Sequence, residues 1–88
     1  MKTNDPLAKL SQTAECWMLD VRPLLLAGRE PYSCVMDCIA QLPKGETLEV
    51  HALFEPQPLL NQALSMGFKA STHFIGPDHW KLTLTKSL

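Results

Sequence analysis

No stretch of this 88-residue sequence reaches the roughly 18 consecutive apolar residues of a membrane-spanning helix. The opening residues, Met1-Lys2-Thr3-Asn4-Asp5-Pro6, hold no apolar signal core. The expected compartment is therefore the cytoplasm, and no membrane partner is expected. Positive charge is scattered: eight Lys and Arg against nine Asp and Glu leave a net charge of −1. A nucleic-acid surface shows as a basic patch or stripe, so a nucleic-acid partner is not expected either. The cysteines are odd in number, Cys16, Cys34 and Cys38. That fits thiols kept reduced in the cytosol, and the spacing matches no common zinc pattern. There is no Ser-His-Asp array, no phosphate-cradling glycine loop and no paired-acid motif. No catalytic residue, metal or cofactor is expected.

What is present is the periodicity of one small α/β domain. A chain of this length buries about two-thirds of its surface. Its stability is marginal unless packing is good or copies associate, so weak homo-oligomerisation is expected as an option. Residues 1–14 mix Lys, Asn, Asp, Ser, Gln and Thr and read as a flexible tail, with a helical turn over 7–10. Residues 15–88 read as the domain. Strands are predicted over 15–21, 46–54, 68–75 and 80–86 from alternating apolar and polar residues. Helices are predicted over 31–42 and 58–66 from apolar positions at helical spacing. Residues 22–29 read as an apolar loop. Pro31 suits the opening of the first helix, and Gly67 suits a left-handed cap closing the second. The predicted core is Leu19, Val35, Ile39, Leu48, Val50, Leu60, Leu64, Leu82 and Leu84. Both helices then cover one sheet face, and Thr47, Glu49, His51, Lys81, Thr83 and Thr85 mark the other.

The candidate site is the edge beyond the carboxyl ends of the strands, where parallel α/β units tend to bind ligands. Asp20 and Arg22 form a candidate carboxylate–guanidinium pair, read chiefly as stabilising the fold. Gly28, Arg29, Glu30 and Pro31 lead into the first helix. Cys34 lies in its first turn, where free N–H groups and the helix dipole stabilise a thiolate; the competing reading is an inert, semi-buried cysteine. Cys38 reads as core. A Cys34–Cys38 disulfide is disfavoured by the geometry of that spacing on a helix. Glu55-Pro56-Gln57-Pro58 reads as a device that opens the second helix, with a ligand-facing Glu55 as the alternative. His51, His73 and His79 come from three separate elements; they read as surface histidines before they read as a metal set.

Leu19-Asp20-Val21-Arg22, Glu30-Pro31, Leu42-Pro43-x-Gly45-Glu46, Glu55-Pro56-x-Pro58-Leu59 and Gly76-Pro77 with Trp80 together resemble a bacterial TusA/SirA-like family, domain-of-unknown-function family 2249. The resemblance runs from about Leu19 to Lys86. It implies a two-layer sandwich of order βαβαββ, with a four-stranded mixed sheet in the order 1-2-4-3 and two helices on one face. It also implies a departure. The TusA sulfur carriers have Cys-Pro-x-Pro at the start of the first helix, and counting back from Gly45-Glu46 puts Gly28 where their cysteine stands.

The leading expectation is thus a non-catalytic module that binds a protein partner or a small ligand. The alternatives are a thiol-dependent sulfur or redox carrier using Cys34 and, third, a metal-associated accessory domain.

Overall fold

The computed structural model describes residues 7–13 and 16–86. The elements run β1 (Lys9–Gln12), β2 (Cys16–Asp20), α1 (Arg22–Leu26), α2 (Tyr32–Gln41), β3 (Thr47–Ala52), α3 (Gln57–Ser65), β4 (Lys69–Gly76) and β5 (His79–Thr85). Among the described residues, five strands form one mixed sheet in the order β1-β2-β3-β5-β4. β2 and β3 are parallel, β5 is antiparallel to both β3 and β4, and β1 is antiparallel to β2.

The alternation seen in the sequence sorts the sheet into two faces. Trp17, Leu19, Leu48, Val50, Ala52, Leu82 and Leu84 are buried, and they join Val35, Cys38 and Ile39 of α2 and Leu59 and Ala63 of α3 in a single core cluster. Fully burying a Leu or Val side chain contributes about 1.5–3 kcal/mol. Burial on both sides of the helix–sheet interface is therefore the main stabilising term. Register keeps the opposite face polar: Thr47 sits against Thr85, Glu49 against Thr83 and His51 against Lys81.

Three expectations are corrected. The α+β class and the mixed sheet stand, but the sheet has five strands where four were expected, and three helices replace two. The added strand comes from the presumed tail. Residues 9–12 pair with β2, Leu10 against Leu19, so residues 7–10 form no helical turn; the tail's residues 1–6 and 14 lie outside the described ones. The strand escapes the pattern because it is a short, polar edge, a form that edge strands commonly take. The added helix, α1, lies in the presumed apolar loop. Pro23 occupies its first turn, as proline can, and Leu24 is buried beneath it. The third correction is one of helical phase. In α3 it is Leu59 and Ala63 that are buried, while Leu60 is half-buried and Leu64 is 50% exposed. The helix starts at Gln57, and its core stripe is the i, i+4 pair Leu59–Ala63.

Both helices with a glycine just past the end close on a Schellman motif. After α1, Gly28 N–H donates to Leu25 O at 3.0 Å and Arg29 N–H to Leu24 O at 3.1 Å. After α3, Gly67 N–H donates to Leu64 O and Phe68 N–H to Ala63 O, each at 3.1 Å. The left-handed residue is the glycine in each case, with φ of 78° at Gly28 and 89° at Gly67. In the β4–β5 hairpin Asp78 takes φ 56°, which Asp tolerates better than most residues with a side chain.

The phase of α3 is directly testable. Leu59→Ala is expected to cost about 2–5 kcal/mol, the range for buried Leu truncations, and Leu64→Ala less than about 1 kcal/mol. Urea denaturation of the two variants measures both, and equal costs would contradict the packing described.

Candidate functional site

The predicted edge beyond the carboxyl ends of β2 and β3 holds a pocket of about 260 Å³. It is lined by Ala52 at the end of β3, by Leu25 of α1, and by Pro56, Pro58 and Leu59 where the chain enters α3. Pro31, Tyr32 and Phe54 complete the wall, and Glu30 is the one carboxylate in its lining. Phe54 is 56% exposed, so its ring stands at the rim.

Local chemistry fixes each wall. Pro56 has φ −84° and ψ 63°, with Gln57 N–H donating to Glu55 O at 2.9 Å. That is an inverse γ-turn, and it turns the chain sharply from β3 into α3. Glu55 looks away from the pocket: its Oε2 accepts from Thr72 Oγ1 at 3.1 Å, tying the start of α3 to β4. Pro31 is the N-cap residue of α2, one position ahead of the first helical residue. Oε2 of Glu30 accepts from Tyr32 N–H at 2.6 Å, placing a carboxylate at the positive end of the helix.

Asp20 and Arg22 form the pair that their spacing suggested. Arg22 Nε donates to Asp20 Oδ1 at 2.9 Å and Nη2 to Oδ2 at 2.8 Å. The same carboxylate accepts from Arg22 N–H at 3.0 Å, so it also caps α1. Hydrogen bonding to the guanidinium is the largest cause holding the Asp20 carboxyl below its usual value, against burial, which raises it. Gly28 and Arg29 belong to the Schellman turn between α1 and α2, off the pocket lining. Cys34 is 2% exposed, within the core cluster. Cys38 is buried too, and burial pushes its thiol up to about 12. Cys16 is half-buried on the opposite sheet face, its pKa raised first by burial and then by the Glu49 charge. None of the three is in a disulfide.

Of the predicted site residues, then, the pocket brings together Glu30 and Pro31 alone. Leu25, Tyr32, Phe54 and Leu59 went unforeseen. Phe54 and Leu59 have one signal, the run Phe54-x-Pro56-x-Pro58-Leu59, whose prolines read as a helix opening and not as a wall; Leu25 and Tyr32 have none.

A second constellation lies on the helix-free face. His51 Nδ1 is 2.8 Å from His79 Nε2, one ring nitrogen donating and the other accepting. Glu49 Oε1 is 3.9 Å from His51 Nε2. His73 stands apart, hydrogen-bonded through Nε2 with Ser71 Oγ at 3.0 Å. Burial first, then the neighbouring His79, lowers the pKa of His51, with Asp20 and Glu49 opposing.

This architecture is an α+β two-layer domain with a preformed apolar pocket at one sheet edge. The chain belongs to the family described as "Uncharacterized conserved protein (DUF2249)", which matches it over residues 18–86. No curated protein and no solved structure matches the chain. Among the described residues no helix is long and apolar enough to cross a membrane.

The lowered pKa of His51 fixes a sign. A group depressed on folding contributes stability that is fully present above its unfolded pKa, near 6.5, and lost as pH falls through the folded value. NMR titration is expected to give a His51 midpoint below 6.5, and His51→Asn should flatten the loss of stability on acidification from pH about 7 to about 5. A midpoint above that of a free imidazole would reverse the assignment.

Proposed function

We propose that this chain is a non-catalytic, TusA-like binding module whose edge pocket receives one apolar group, carried by a small ligand or by a side chain of a protein partner. The pocket itself carries the reading. An apolar cavity of about 150 Å³ is enough to take a benzene, and the pocket offers about 260 Å³. That is room for one ring or branched chain, but it lies below the usual range for larger ligands, roughly 300–1,000 Å³. Its acid, Glu30, already accepts from the α2 backbone, so the remaining wall recognises by shape and apolar contact.

The reading does not use a thiol. A sulfur carrier needs an accessible, ionised cysteine. Cys34 is buried, and the Cys38 and Cys16 thiols are shifted away from ionisation. At Gly28, where the resemblance to sulfur carriers places their cysteine, the backbone requires a left-handed residue. The module reading therefore stands ahead of the carrier.

The test is an amide NMR titration of the full chain with indole and with cyclohexanol as probes. Saturable shifts are expected at Leu25, Tyr32, Ala52, Phe54 and Leu59, and they should weaken in Leu25→Asp, which places a charge in the wall. Shifts scattered over the surface, or none with either probe, would overturn the pocket as the binding site. Iodoacetamide applied to the folded protein separates the alternative: rapid modification of Cys34 would restore the carrier.

A further inference from the structure

The helix-free face carries a feature that the pocket does not explain, two imidazoles in direct contact. His51 of β3 is in register with Lys81 of β5, so His79, two residues earlier on β5, is its diagonal neighbour. The ring centroids are 5.1 Å apart, and the facing nitrogens, Nδ1 of His51 and Nε2 of His79, are 2.8 Å apart. Asp20 on β2 is in register with His51, and its charge is met by Arg22. Glu49 stands beside His51 on β3, and Lys81 on β5. Two anions and two cations thus surround the pair. Net charge does not single the place out; the convergence of two imidazole nitrogens does.

We propose that His51 and His79 bind one divalent transition-metal ion, of the Zn²⁺, Ni²⁺ or Cu²⁺ class, between Nδ1 of His51 and Nε2 of His79. Metal–nitrogen bonds of about 2.0–2.1 Å at a tetrahedral angle set two ligating nitrogens about 3.3 Å apart. The rings then separate by about 0.5 Å, a small rotation for two half-buried side chains at the surface. Both nitrogens must offer a lone pair, so the ring that donates in the metal-free pair carries its proton on its other nitrogen once the ion is bound. For His51 that nitrogen is Nε2, which faces the Glu49 carboxylate at 3.9 Å. A carboxylate in that position favours the tautomer that leaves Nδ1 free, as carboxylates do behind metal-ligating histidines. With that tautomer His51 Nδ1 accepts from His79 Nε2–H, so His79 is the ring whose proton moves to its other nitrogen on metal uptake. Among the described residues no group of three or more His, Cys, Asp or Glu is placed to hold a metal ion. The protein therefore supplies two ligands and water the rest. Imidazole favours zinc, nickel and copper over magnesium and calcium.

The test titrates the full chain with ZnCl₂, NiCl₂ and MgCl₂ at about pH 7.5 and about pH 5.5, where imidazoles protonate. Calorimetry reads affinity, and NMR reads the histidine rings. Expected are 1:1 binding of Zn²⁺, Ni²⁺ broadening centred on His51 and His79, no response to Mg²⁺, and weaker binding at the lower pH. His51→Asn and His79→Asn should each lose about tenfold or more in affinity, while His73→Asn and Cys16→Ser bind as wild type. Wild-type Ni²⁺ broadening decides the matter even where a variant fails to fold. Absence of saturable Zn²⁺ binding, broadening centred on His73 or Cys16, or undiminished affinity in a folded His51→Asn would overturn the proposal. The pocket lies on the other face of the sheet, so neither result bears on it.

Discussion

Everything in this domain hangs on the double pairing of β3. It is hydrogen-bonded to β2 on one side and β5 on the other, and its inward residues Leu48, Val50 and Ala52 are almost wholly buried. A strand with period-two side chains cannot slip by one residue without turning its apolar set to solvent. The burial of Leu48 and Val50 therefore fixes the register of both neighbours. The register then places Asp20, His51 and Lys81 side by side across three strands, and it leaves Ala52 at the end of the apolar row, where the pocket begins. Both constellations follow from one packing decision, on opposite faces.

Around this strand the connections are held by backbone chemistry more than by large contacts. A helix of five residues such as α1 has no stability of its own in water. It persists because Asp20 accepts its first N–H, because Leu24 is buried, and because the Gly28 turn satisfies carbonyls at its other end. Asp20 thus serves two partners, the backbone of α1 and the Arg22 guanidinium. Neutralising it by acid would release both, which is why its lowered pKa couples the edge to folding. Its carboxylate is already committed to these bonds, which suits it to positioning α1 more than to proton transfer.

Much of this was legible in the sequence, and the failures have physical causes. The paired positions of β3 and β5 show as strict alternation, so their faces could be named residue by residue. β1 could not, because a polar four-residue edge buries too little to leave a pattern, and it also precedes the span matched by the family. In α3 the adjacent Leu59 and Leu60, with Ala63 and Leu64 one turn later, fit two stripes a residue apart; choosing between them needs the point where the helix starts, which the Pro56 turn sets. The pocket was located by its edge but not by its walls, since Leu25 and Phe54 meet only through tertiary packing. The histidines were visible singly. Their contact depends on the diagonal offset across β3 and β5, which a pattern of faces does not supply.

The composition of the pocket wall has one further consequence. Pro31, Pro56 and Pro58 together hold three backbone positions at fixed φ, and Pro56 sits in a hydrogen-bonded turn closed by Gln57 N–H. Such a wall has little conformational freedom to lose when it is occupied, and ordering losses are a main cost of association. Proline also has no N–H, so these three positions present no backbone donor toward a guest. The available carboxylate, Glu30, is engaged by the Tyr32 N–H. A polar guest entering here would give up water for few compensating bonds, at a cost of about 1–3 kcal/mol per unsatisfied group. An apolar guest would meet a surface already shaped for it, so the same prolines that open the helices bias the pocket toward apolar occupants.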